Sequence, residues 1–276
     1  MVILLNFKKA NFIFAFFFSL ISFSQEKKQI FYPEFEGFKK IGFFIAPVMY
    51  QKASIDRKFG EYEIINKNIL SFSFGFEYVK NHTKEWTFRS GLRFDLVPFY
   101  NIEFVIPNFD LDGFGGMNLE DDNLRNVSKI NITIPLLYEV KKQMGENVFF
   151  SAYSGFNMML MQPGRFELGY HYAPDSNPNE GIQVFGLYGE ATNPTIIYPN
   201  FVISPGFYFV FNKSIMQLNI MYQKALVKHF KGEYQFGNLE VSPPSRGDYI
   251  LSGNYLGMSL TMFLKKKKVK NNKFDY

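Results

Sequence analysis

Ile69-Leu70-Ser71-Phe72-Ser73-Phe74-Gly75-Phe76-Glu77-Tyr78-Val79-Lys80 alternates without a break. On an extended chain Leu70, Phe72, Phe74, Phe76 and Tyr78 share one face, and Ser71, Ser73, Gly75, Glu77 and Val79 share the other. A soluble sheet would need a core to cover that aromatic face. Here the pattern returns in eight segments, near 38–50, 69–80, 85–98, 128–141, 147–162, 200–211, 214–227 and 254–264. The fifth is the least regular, because Phe149, Phe150, Met158 and Met159 blur its phase. Short connections at 81–84, 142–146 and 212–213 alternate strictly with long ones near 51–67, 99–127, 163–198 and 228–252. Repeated dyad alternation with short turns at one end and long loops at the other predicts an all-β fold, a transmembrane antiparallel up-and-down β-barrel. Eight strands is the expected number. Ten is the alternative, if 165–172 and 182–190 join the wall; their Gly, Pro, Asn and Glu content favours a hairpin projecting above the membrane.

The first 24 residues read as a cleaved export signal. Lys8 and Lys9 precede an apolar Ala10–Phe23 stretch too short to span a bilayer as a helix, and Ser22 and Ser24 suit a cut before Gln25. The organisation expected is a signal peptide over 1–24, an N-terminal periplasmic segment over 25–36, a barrel over 37–264 and a basic tail over 265–276. The chain has no cysteine, which excludes disulfides and a lipidated cysteine anchor. Its formal charge of +5 suggests nucleic acid only until it is located. The leader lysines and the tail, six lysines against Asp275, account for all of the excess, and the body between them is slightly acidic. No nucleic-acid partner is therefore expected. Aromatic residues reach 19% of the chain, which fits strands and interfacial girdles better than a Leu- and Ala-rich soluble core.

An eight-stranded barrel is just wide enough to be filled by its own side chains. The inward phase carries Glu77, Arg89, Arg93, Asp95 and Glu139. Opposite charges at low dielectric pair rather than stand alone, so these five are expected to form a lumen network that plugs the bore.

Ile132-Thr133-Ile134-Pro135-Leu136-Leu137-Tyr138 resembles a mid-barrel strand of the Bacteroidetes outer-membrane β-barrel family that includes PorT-like proteins. Ser-Phe-Ser-Gln at 22–25 is similar to a flavobacterial cleavage site, and Gly257–Phe263 to the C-terminal signal by which barrels are inserted. The resemblance covers roughly 37–264 and implies an outer-membrane location and a link to type IX secretion. The chain departs from the pattern in running twelve residues past the last strand and in its long loops.

Rim enzymes among small barrels use a Ser or Asp beside a His at the outer mouth. His82 falls in a short turn, at the wrong end. His171 and His229 fall in outer loops, with Asp175, Glu180, Ser242 and Ser245 as the nearest candidate partners. No spacing joins them, and solvated loop residues explain them as well. Asp110, Asp112, Glu120, Asp121 and Asp122 make one loop acidic, yet the Asp-x-Asp-Gly fragment lacks the rest of a calcium loop. Arg246-Gly247-Asp248 matches an adhesion tripeptide that arises often by chance. The expectation is a non-enzymatic barrel without catalytic residues, cofactor or metal. Outer-membrane lipids would surround it, and its extracellular loops would offer a surface to a protein partner. A lipid-modifying rim enzyme and a narrow transport route are the rival readings.

Overall fold

The computed structural model of the chain describes residues 30–111, 124–126, 129–172, 181–193 and 195–266. The leader, Asp112, Glu120, Asp121, Asp122, Asp175, Glu180 and most of the basic tail lie outside the described residues. In chain order the strands are β1 (Phe38–Tyr50), β2 (Ser54–Phe59), β3 (Ile65–Asn66), β4 (Ile69–Lys80), β5 (Trp86–Val97), β6 (Tyr100–Glu103), β7 (Leu124–Asn126) and β8 (Lys129–Gln143). They continue with β9 (Val148–Leu160), β10 (Arg165–Tyr172), β11 (Ile182–Ala191), β12 (Ile197–Val210), β13 (Ser214–Ala225), β14 (Phe230–Phe236), β15 (Ser245–Leu251) and β16 (Tyr255–Lys265).

Eight of them close a barrel in the ring order β1, β4, β5, β8, β9, β12, β13, β16, with antiparallel neighbours throughout. Short turns hold one end. Asn81 takes a left-handed φ of 56° in the β4–β5 turn, which asparagine tolerates best after glycine. At the tightest turn the Phe211 amide donates to the Ser214 carbonyl across Asn212 and Lys213. Outward positions such as Ile41, Phe76, Leu92, Ile134, Leu218 and Met258 leave large apolar side chains exposed around the wall. Inward positions carry the polar ones. This inside-out arrangement belongs to a barrel solvated by lipid. Tyr78 and Tyr138 lie near the short-turn end of the belt and Tyr222 toward the other, as interfacial aromatics do.

Three prolines sit in mid-strand, where a missing N–H normally breaks a ladder. Pro135 falls in the gap of the β5–β8 ladder between Arg89↔Leu137 and Arg93↔Thr133. Pro205 falls in the β12–β13 gap, and Pro47 in the β1–β16 gap. In each case the register is the same on both sides of the gap, so the strand continues and one stretch of pairing is given up.

Among the described residues, the long connections contain further strands. β10, β11, β14, β15 and β2 form a five-stranded sheet at the other end, and β3, β6 and β7 a smaller one. The hairpin β10–β11 therefore stands above the barrel, and the wall has eight strands rather than ten. The inner face of the large sheet buries Phe166, Phe185, Leu187, Tyr234, Phe236 and Tyr249 against Val97, Ile102, Phe104 and Ile106. The result is a cap with its own apolar core, lying over the barrel mouth. At Gly247 a Cβ would fall 2.4 Å from the Tyr234 ring, so that glycine makes room for the aromatic beside it.

Candidate functional site

Inside the barrel, chemistry concentrates where β4 meets β5. The Cα pairs there are Gly75↔Arg93, Glu77↔Gly91 and Val79↔Arg89. Glu77 thus faces a glycine, and the two arginines flank that glycine on the same face. A Cβ at Gly91 would lie 2.1 Å from the Phe76 carbonyl oxygen, and its φ of 152° disfavours any other residue. The open position lets Glu77 reach diagonally to both arginines, which are ion-paired to it. Arg89 also donates to Glu139 at 2.8 Å and to the Gln217 side-chain oxygen at 2.6 Å on the far side of the bore. Glu139 further accepts from Thr87 at 2.9 Å, Gln217 at 2.8 Å and the Tyr208 hydroxyl at 2.9 Å. Both guanidinium groups lie over rings, Arg89 at 4.6 Å from Tyr153 and Arg93 at 4.1 Å from Phe44.

Four of the five expected lumen residues therefore meet in one buried network. Asp95 is the exception and corrects the expectation. It is buried one layer nearer the cap, opposite Ser73 and Asn131, and accepts a hydrogen bond from Thr133. Glu77 holds both arginines, and no ion pair joins Asp95 to either of them.

The network is sealed from both sides. Toward the cap it is followed by Phe44, Leu137, Tyr153, Val202 and Met221. At the short-turn end the segment before β1 enters the bore, and Tyr32 and Phe35 pack on Phe149, Tyr208 and Phe263. Lys141 is buried there 4.3 Å above the Phe35 ring and donates to the His82 carbonyl. Residues 30–36, expected within a periplasmic segment over 25–36, therefore plug the short-turn end of the bore. The blurred fifth strand has the same cause: Phe149 and Met159 point inward because the lumen is partly apolar.

Among the described residues no hydrogen bond joins the candidate histidines to the candidate serines. His82 is buried in its turn 4.7 Å from the Phe263 ring, and burial, with Lys141 and Arg89 nearby, pushes its imidazole well below the ordinary histidine range. His229 is not a rim residue. It is fully buried beside Tyr198 and against Gly253, and burial lowers it to about 4. No described protein group hydrogen-bonds to either of its ring nitrogens. His171 is exposed on β10. Ser245 is buried, its hydroxyl accepting from the Tyr62 amide at 3.0 Å.

Asp110 tethers Tyr62 to the segment before β15. It accepts from the Tyr62 hydroxyl and from the Val241 and Ser242 amides at 3.0 and 2.7 Å. Burial acts to raise its carboxyl, but these bonds outweigh it and hold the group below the usual carboxylate range. The Tyr62 phenol is pushed up to about 12 by burial and by that bond. No metal-holding cluster occurs among the described residues. Arg246-Gly247-Asp248 lies inside β15, with Arg246 paired to Glu233 and Asp248 to Lys58, rather than at a loop tip.

No described protein family matches the chain, and no curated relative does. Among solved structures it is similar to the outer membrane protein OprG from Pseudomonas aeruginosa. The two share 9% identity at a TM-score of 0.38, over 82% of this chain and 95% of that one. The architecture described above rests on this chain's own strand pairing and not on that likeness.

Proposed function

We propose that the chain is an outer-membrane barrel that acts as a non-enzymatic anchor and presents its cap to the outside as an interaction surface. One observation carries the reading: the bore is closed by a plug, an ion-pair network and an apolar layer, while the long connections are built into an ordered sheet at one end. The expected export signal and the apolar outer face of the barrel support the location. The scattered histidines and serines support the absence of catalysis. A place beside secretion machinery is the particular form that the family resemblance implies, and it is a proposal of the same standing.

The test is to replace the β10–β11 hairpin by a tight turn in the full-length protein. The barrel should still insert and keep its heat-dependent gel shift, since changes in connections spare a rigid scaffold. Crosslinked partners should be lost. His171→Ala should leave the phenotype unchanged. A complete loss of function from His171→Ala in a folded barrel would favour the rim-enzyme reading instead.

A further inference from the structure

Two clefts open on the outward face of the cap sheet. One, of about 310 Å³, is bordered by Phe59, Gln183, Gly186, Gln235, Asn238 and Arg246. The other, of about 480 Å³, lies along Arg165, Glu167, Tyr188, Glu190, Lys231 and Glu233. Strand register places them side by side. Gly169, Gly186, Gln235 and Arg246 form one row across four strands, and Glu167, Tyr188, Glu233 and Asp248 form the next. Gly169 and Gly186 are direct partners, and with no side chain of their own they let the Tyr188 ring and the Gln183 amide lie down over Gly186. The Gln183 amide also comes within 3.3 Å of where a Cβ on Gly169 would lie. Gln183 also donates to the Tyr188 hydroxyl at 3.2 Å.

The lining decides the ligand class. Ion pairs link Arg165 to Glu190, Arg246 to Glu233, and Lys58 to both Asp56 and Asp248, so the charges on this face largely cancel. A self-neutralised face exerts little pull on a polyanion. It offers side-chain amides, carboxylates and guanidinium groups in a shallow trough beside the ring of Tyr188 and the exposed Phe59. Hydroxyl-rich chains use such surfaces, since each hydroxyl both donates and accepts and sugar C–H faces pack on aromatic rings. We propose that this trough binds an uncharged oligosaccharide from outside the cell. The inference rests on the extracellular placement of the cap proposed above.

The test uses the full-length protein in detergent micelles and calorimetric titration with maltohexaose, cellohexaose, laminarihexaose and mannohexaose. At least one should bind, and Tyr188→Ala and Gln235→Ala should each weaken it by about tenfold or more with the heat-dependent gel shift retained. If Tyr188→Ala does not fold, the exposed Gln235 carries the comparison. Absence of binding by every hexaose, indifference of binding to the folded variants, or preference for lipopolysaccharide micelles overturns the proposal. A separate arm tests the placement. Because the chain has no cysteine, Glu167→Cys gives a single thiol for a membrane-impermeant maleimide on intact cells. Labelling without hexaose binding defeats the oligosaccharide alone; failure to label defeats the extracellular cap.

Discussion

Glu77 is the residue on which the lumen turns. It is the shared anion of two buried arginines, and it reaches both because Gly91 opposes it. Removing one member of a buried pair costs about 3–5 kcal/mol in general. Glu77→Gln should therefore lower the denaturation midpoint more than Arg93→Met, which leaves Glu77 with Arg89. Equal midpoints in a urea series would show that the two pairs do not share the anion. Gly91→Ala should also destabilise the barrel, through contact with the Phe76 carbonyl. His229 gives a second residue-scale expectation. Its folded value of about 4 lies below the ordinary 6.5, so its contribution is intact above pH 6.5 and is lost as pH falls toward 4. Between pH 7 and 5 the loss should reach about 2 kcal/mol. His229→Leu should remove that share of the pH dependence in melting experiments and leave the share due to His82.

At the scale of the strand, the inward and outward phases make opposite demands on the same substitution. Leu260 faces lipid and Thr261 faces the lumen. An arginine at mid-bilayer costs about 2–4 kcal/mol on the lipid face. Leu260→Arg should reduce heat-modifiable barrel in membranes more than Thr261→Arg, and equal yields would contradict the phase of β16. The alternation was legible in the sequence because the bilayer enforces it on every strand, and the inward charges could be placed by counting from Phe88 and Phe94. The cap was not legible as a sheet. Arg165–Tyr172 alternates too, yet the core its inner face meets comes from residues far away in the chain, such as Ile102 and Phe104. Periodicity records which residues share a face and not what covers that face. The burial of His229 left no trace beyond Gly253, whose need for space appears only once the two are side by side.

At the scale of the whole molecule, the barrel is a solid rod. Reconstituted in a planar bilayer it should show no steady conductance. Phe35→Ala, which thins the plug, should stay silent as well, because the Arg89 network spans the bore above it. Conductance from Phe35→Ala alone would make the N-terminal segment a gate and revive the transport reading.

The strands of the large cap sheet come from three separate connections between wall strands: β2 follows β1, β10 and β11 follow β9, and β14 and β15 follow β13. That sheet can form only after the wall has brought the ends of those three connections together. Until then Phe185, Tyr234 and Phe236 have no cover, and the intermediate exposes a sticky apolar face. Cap closure is thus the final, non-local step of biogenesis, and it works as a latch. Reversing insertion would require the sheet to come apart first, so assembly and disassembly should follow different denaturant curves, with hysteresis that disappears when the cap strands are trimmed away.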